Sequence, residues 1–159
     1  MLDLVGLLAD NSSCRMPQKR NTKNKKLKRK DLRDLDVKIT FLEGIVRRDP
    51  QFVDALKVLG DHYSQRGRTE GSLKVDQQLS TLEPANPLVF YNLACSYALN
   101  GDLILALSSL DKAISLGYQD FKWMSKDPDL TPVRKHPLYV GIKAKIRKLQ
   151  LGDGPLTGI

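Results

Sequence analysis

At 159 residues, of which 41% are hydrophobic and 28% charged, the chain has room for one domain of ordinary size with a buried core, plus tails. No run of about 18 apolar residues exists to span a membrane, and the low aromatic content of 6% suits stacked helices better than a sandwich or barrel. The formal net charge of +8 is unevenly placed: nine bases and no acid lie between Arg15 and Lys30, which leaves 17 bases against 18 acids elsewhere.

Residues Met1 to Ala9 are apolar but carry Asp3 and lack a basic leader, so a secretory signal is not expected, and Met16 is a second candidate start of translation. Residues 1–30 read as a disordered basic tail, because Pro17 to Lys30 offers too little apolar surface to repay ordering. Two roles are open for Lys19, Arg20, Lys23, Lys25, Lys26, Lys28, Arg29 and Lys30. They form either a solubilising, self-repelling run or a sequence-blind grip on RNA, a ribosome or another acidic partner through phosphate neutralisation. No aromatic interleaves them, so stacking on bases is not indicated.

A helix is expected from Asp31, with Leu32, Leu35, Ile39, Leu42, Ile45 and Val46 on one face, ending near Asp49-Pro50. Two stretches 34 residues apart then repeat each other: Leu56, Leu59, Gly60 and Tyr63, and Phe90, Leu93, Ala94 and Tyr97. Gly67 recurs as Gly101, Leu73 as Leu107, Leu79 as Ala113 and Leu82 as Leu116. A bulky residue packing into the gap left by a Gly or Ala four positions later lets two helices approach closely. Asp76 breaks the apolar stripe of the first repeat's second helix and leaves a carboxylate to be solvated or paired. In the second repeat Leu103, Leu107, Leu110, Ala113, Ile114 and Leu116 form that stripe. The period fails after Gly117, where Pro128, Pro132 and Pro137 allow a short helix, a loop around Asp127 to Val133, and a last helix from about Pro137 with Tyr139, Ile142, Ile146 and Leu149 on one face. Leu151 to Ile159 reads as a frayed tail.

The repeated L-x-x-L-G-x-x-Y and F-x-x-L-A-x-x-Y stretches resemble the tetratricopeptide pattern. The D-P-D-L-x-x-x-R-x-H-P-x-Y run (Asp127 to Tyr139) resembles the ending of small bacterial members of that family. The resemblance implies an all-α helical-hairpin solenoid of about two and a half repeats over residues 31–150, with a C-terminal capping helix. The first helix would cap the first full repeat, since an end repeat otherwise leaves its apolar face in water.

The resemblance also implies a non-catalytic protein-interaction module that takes a peptide or partner protein on the concave face of each repeat's first helix. By register, that face carries Lys57, Asp61 and Gln65 in the first repeat and Leu88, Tyr91, Asn92, Cys95 and Leu99 in the second. Lys122 and Lys126 join it if the register continues. Some members hold a peptide's C-terminal carboxylate with a Lys and Asn clamp; here Lys57 and Asn92 match, but Asp61 stands where the first clamp Asn belongs and repels a carboxylate. The alternative reading of the patch is that it packs under the C-terminal helix as core. No phosphate loop, metalloprotease motif or nucleophile elbow occurs, so neither enzyme activity nor a cofactor is expected, and an enzyme subunit completed by another chain is the weaker option. His62 and His136 stand apart, and Cys14 and Cys95 lack metal or redox spacing, so no metal site is expected and the cysteines read as free thiols of a reducing cytoplasm. Asp127 and Asp129 flank Pro128 and suit N-capping better than chemistry.

Overall fold

The computed structural model describes residues 28–152, and the expectations for the N-terminal segment up to Leu27, including Cys14, Met16 and most of the basic run, and for the C-terminal tail after Gly152 lie outside them. Every regular element among the described residues is helical: α1 Arg29–Arg48, α2 Val53–Arg66, α3 Thr69–Leu82, α4 Pro87–Leu99, α5 Leu103–Ser115, α6 Phe121–Met124, a 3-10 turn Pro128–Leu130, α7 Thr131–Lys135 and α8 Tyr139–Leu151. The chain divides into two compact units, one through Pro84, in which α1 packs on α2 and α2 on α3, and one from Ala85, in which α4 packs on α5 and α5 on α7 and α8.

In the first unit, α1 begins slightly before the expected Asp31, so Arg29 and Lys30 form its first turn; the Lys28 N–H before it donates to Asp31 Oδ2 at 3.1 Å. Leu35, Ile39 and Leu42 recur at three- and four-residue steps and are buried, which gives the helix its inner face. Ala55, Leu56, Leu59 and Gly60 of α2 pack inward with them. Gly60 is small for a visible reason: a Cβ there would lie 3.3 Å from Val75 Cγ1 on α3. Gly71 answers the same need from the other helix, since a Cβ would meet the Tyr63 ring at 3.1 Å. Gly67 ends α2 at φ 78°, a left-handed position that suits glycine.

Polar contacts fix the register of α1 against the end of α2 and the turn after it. Arg66 donates from Nε and Nη2 to the two Asp36 oxygens at 2.8 and 3.3 Å, and Arg68 adds a contact at 3.2 Å. The Arg66 hydrogen bond holds the Asp36 carboxyl below its usual range. Tyr63 donates to Glu43 at 2.7 Å, and burial, with that carboxylate beside it, pushes the phenol up to about 12. Of the two expectations for Asp76, solvated or paired, the first does not hold: it is buried at 3% exposure, close to the Gly60 position.

The second unit is built on the α4–α5 hairpin. Asn86 accepts the Leu88 N–H at 3.0 Å and Pro87 occupies the first turn, where no amide partner is needed. Gly101, at φ 87°, turns the chain. Ala94, Ala106, Leu110 and Ala113 are all fully buried in one cluster with Leu107 and Ile114. Leu103 and Leu116, expected in the buried stripe, are half-buried, because the inner face turns toward Ala106 and Ser109 instead. The expected loop around Asp127 to Val133 is a 3-10 turn running into α7, and Pro132 fits within the first turn of that helix. In α8, Tyr139 and Ile142 are buried and Ile146 packs at the edge, but Leu149 is 47% exposed, so the packed face stops a turn earlier than its periodicity predicts.

Leu110→Ala removes a fully buried side chain and is expected to cost about 2 to 5 kcal/mol, read as a lower urea midpoint. His62 gives a pH signature. Its Nδ1 is buried with no hydrogen-bond partner, and burial, then Lys38, holds the imidazole below its ordinary 6.5. The unfolded chain therefore takes up the proton first, so His62 contributes stability above pH 6.5 that is lost as pH falls toward the lowered value. Between mildly alkaline and mildly acidic buffer, His62→Gln should show a smaller drop in urea midpoint than the wild type.

Candidate functional site

The face assigned to partner binding differs between the two units. In the first unit Lys57, Asp61 and Gln65 lie one turn apart along α2. Lys57 Nζ bonds Glu83 at 3.0 Å, so a neighbouring carboxylate already neutralises this cation. Asp61 is half-buried and Gln65 exposed. Side-chain traffic between the helices runs one row over, where Ser64 and Ser72 hydroxyls stand 2.9 Å apart.

In the second unit Asn92 is half-buried, Leu99 is 42% exposed, Lys122 and Lys126 are exposed, and Leu88 packs partly against the core. Tyr91 and Cys95, expected from their register to face a partner, are buried at 2% and 1% exposure. That assignment is corrected: both side chains are taken up inside the unit. They are covered by the turn around Pro128, which packs on α4, rather than by the C-terminal helix.

The turn is organised by one carboxylate. Asp127 Oδ1 accepts the Asp129 N–H at 3.0 Å, the capping role that its position before Pro128 suggests. Its other oxygen receives the Tyr91 hydroxyl at 2.6 Å and faces Cys95 Sγ at 3.7 Å. Three donors thus surround a carboxylate of 5% exposure, which offsets the cost of removing it from water. Tyr118 stacks on Tyr91 with ring centroids 4.3 Å apart and planes 4° from parallel. Its own buried hydroxyl finds no acceptor or donor in hydrogen-bonding geometry. Burial is the main cause that drives both phenols far from ionising, and the Asp127 carboxylate acts the same way on each.

The rest of the D-P-D-L-x-x-x-R-x-H-P-x-Y run has equally local explanations. Leu130 and Val133 are fully buried, and Arg134 donates to the Met124 and Asp127 carbonyls at 3.1 and 2.6 Å and to the Thr131 hydroxyl at 3.0 Å. His136 Nδ1 accepts the Leu138 N–H at 3.2 Å, starting α8. The run is a packing and capping device. Sequence reasoning missed the Tyr91–Asp127 bond because its partners are 36 residues apart. The local sign available was a tyrosine at an outward register position of α4.

The two phenols give a matched prediction. Tyr91→Phe removes a donor to a buried carboxylate and is expected to lower stability by about 1.5 to 3 kcal/mol, whereas Tyr118→Phe removes an unbonded hydroxyl and is expected to be neutral or mildly stabilising. Parallel urea titrations of the two variants check the contrast.

No protein-family model matches the chain. Over 79 residues it is 33% identical to a chloroplastic protein of Arabidopsis thaliana, an alignment that covers 48% of this chain. The chain spans 24% of the length of that curated relative.

Proposed function

We propose that the chain is a non-catalytic protein-interaction module, a tetratricopeptide-like solenoid in which the first helix of each hairpin offers its outward face to a peptide or partner protein. The observation that carries this reading is the shared construction of the two hairpins. Gly60 and Ala94 are both buried, and Gly67 and Gly101 both turn at positive φ, each pair at the same 34-residue offset. Helical hairpins repeated at a fixed offset serve in such arrays as extended binding surfaces rather than as catalytic pockets. The contact residues of this reading are Lys57, Asp61 and Gln65 in the first unit, and Asn92, Leu99, Lys122 and Lys126 in the second. The carboxylate clamp is a poor fit, because Glu83 holds Lys57 and Asp61 adds a second negative charge.

A second reading rests on the nine bases between Arg15 and Lys30, which suit RNA, a ribosome or an acidic partner. For the compartment, the buried Cys95, which forms no disulfide among the described residues, fits a reducing one. The cytoplasm is the simplest choice, and a plastid is the alternative raised by the chloroplastic relative.

Affinity capture from the native lysate separates the readings. The full chain, the chain from Asp31 onward, and a surface variant combining Asn92→Ala, Lys122→Glu and Lys126→Glu are compared at matched folded content. Capture by the full and shortened chains but not by the surface variant is expected. A partner set unchanged in the surface variant overturns the interaction face, and salt-sensitive RNA capture lost with the tail favours the second reading.

A further inference from the structure

Helix α8 carries a face that the core does not use. Tyr139 and Ile142 are buried and Ile146 packs beside them, whereas Val140, Ala144, Arg147 and Leu151 are all exposed, Val140 at 69% and Leu151 at 73%. The four exposed residues follow one another at steps of four, three and four, which sets them in one row along the helix, turned away from the core. That spacing is the heptad seam by which one helix packs on another, and Lys143 and Lys148 fall on its flanking positions. Ala144, Arg147, Lys148 and Leu151, with Gly152, also line an open depression in the surface.

Charge decides what such a face will take. From Phe121 to Gly152 eight Lys and Arg stand against two acids, Asp127 and Asp129, and both acids are buried. Lys145 is turned back to Asp111 and Ser115, at 2.6 Å each, but the Arg147 and Lys148 side chains meet no hydrogen-bond or ion-pair partner among the described residues. A second copy of the chain is a poor occupant, because parallel or antiparallel its own Lys143, Arg147 and Lys148 would meet the same bases. A bilayer would have to take in Arg147, in the middle of the row, along with Val140 and Leu151. A nucleic acid would leave the apolar side chains unused, and no aromatic stands in the row for a base to stack on.

We propose that the outer face of α8 docks an acidic amphipathic helix of a partner protein. The incoming apolar side chains pack on Val140, Ala144 and Leu151, and the small Ala144 lets the two backbones come close. The incoming carboxylates pair with Arg147 across the seam and with Lys143 and Lys148 along its edges, which selects the partner and sets its register. This surface lies on α8 and does not rest on the peptide face assigned to α4.

The probe is a fluorescent three-heptad peptide with Leu at the seam positions and Glu at the flanking ones, titrated into the full chain at physiological salt and read by anisotropy. A control peptide keeps every Glu and carries Ser for Leu, so it reports what the bases between Arg15 and Lys30 take up by charge alone. Saturable binding of the first peptide, about tenfold or more tighter than the control, is expected. Val140→Ser with Leu151→Ser, both at exposed positions and checked for an unchanged urea midpoint, should remove that margin. Arg147→Glu with Lys148→Glu should weaken binding about tenfold, and Lys122→Glu with Lys126→Glu, the same change of charge off this helix, much less. Equal binding of the two peptides overturns the face, as does wild-type affinity in the Val140→Ser, Leu151→Ser variant or equal losses in the two charge-reversed variants. Self-association in sedimentation, or uptake by phosphatidylserine vesicles, in place of peptide binding and lost in the Val140→Ser, Leu151→Ser variant, gives the face to another occupant and overturns the proposal too.

Discussion

Each hairpin depends on two helices approaching more closely than side chains of ordinary size allow. In the first unit this is direct: Gly60 faces Val75, Gly71 faces the Tyr63 ring, and a methyl group at either would press on its neighbour. In the second unit Ala94 and Ala106, both fully buried, stand in the same core as Leu107 and Leu110. Small residues on one helix leave the gap that large residues of the other fill, and the pair gains packing along its length. The left-handed glycines are then required, because helices this close need a short reversal that a Cβ would strain.

The second unit adds a constraint of another kind, a buried anion. Asp127 cannot sit at 5% exposure without donors, so the Tyr91 hydroxyl, the Cys95 thiol and the Asp129 amide must converge on it. That convergence fixes where the chain after α6 lies on α4. Arg134 also anchors the same turn through the Met124 and Asp127 backbone carbonyls. The core built around it includes Tyr118, Met124, Leu130, Val133, Tyr139 and Ile142, which come from short pieces that none of them would stabilise alone.

Helix positions were largely legible in the sequence, because the period of Leu35, Ile39 and Leu42 and the prolines at 50, 87 and 128 are local signals. Pro132 misled: read as a helix breaker, it sits in the first turn of α7, where a missing amide costs nothing. Leu149 misled in the opposite way, since periodicity records which face is apolar but not how far a neighbour extends beneath it. The burial of Asp76 was also beyond reach, because a carboxylate inside a helix stripe looks the same in sequence whether water or protein surrounds it. The candidate site fared worse than the fold. Its residues were assigned by register, and register says which way a side chain points but not what another segment lays over it.

Such covering is sharpest where the two hairpins are compared position by position. Lys57, Asp61 and Gln65 correspond, at the 34-residue offset, to Tyr91, Cys95 and Leu99. In the first unit the leading two are polar and half-buried, and Lys57 reaches its own unit's Glu83. In the second they are buried, because the turn around Pro128 lies on the row that a partner's segment would occupy. The chain therefore fills part of this surface with itself, and the change from Lys and Asp to Tyr and Cys is what makes the self-filling possible: a phenol and a thiol tolerate burial and donate to a carboxylate, whereas a lysine there would have to bring its charge inside. Along the rest of α4, Leu88, Phe90, Asn92 and Tyr97 are half-buried and Leu99 at the helix end is exposed.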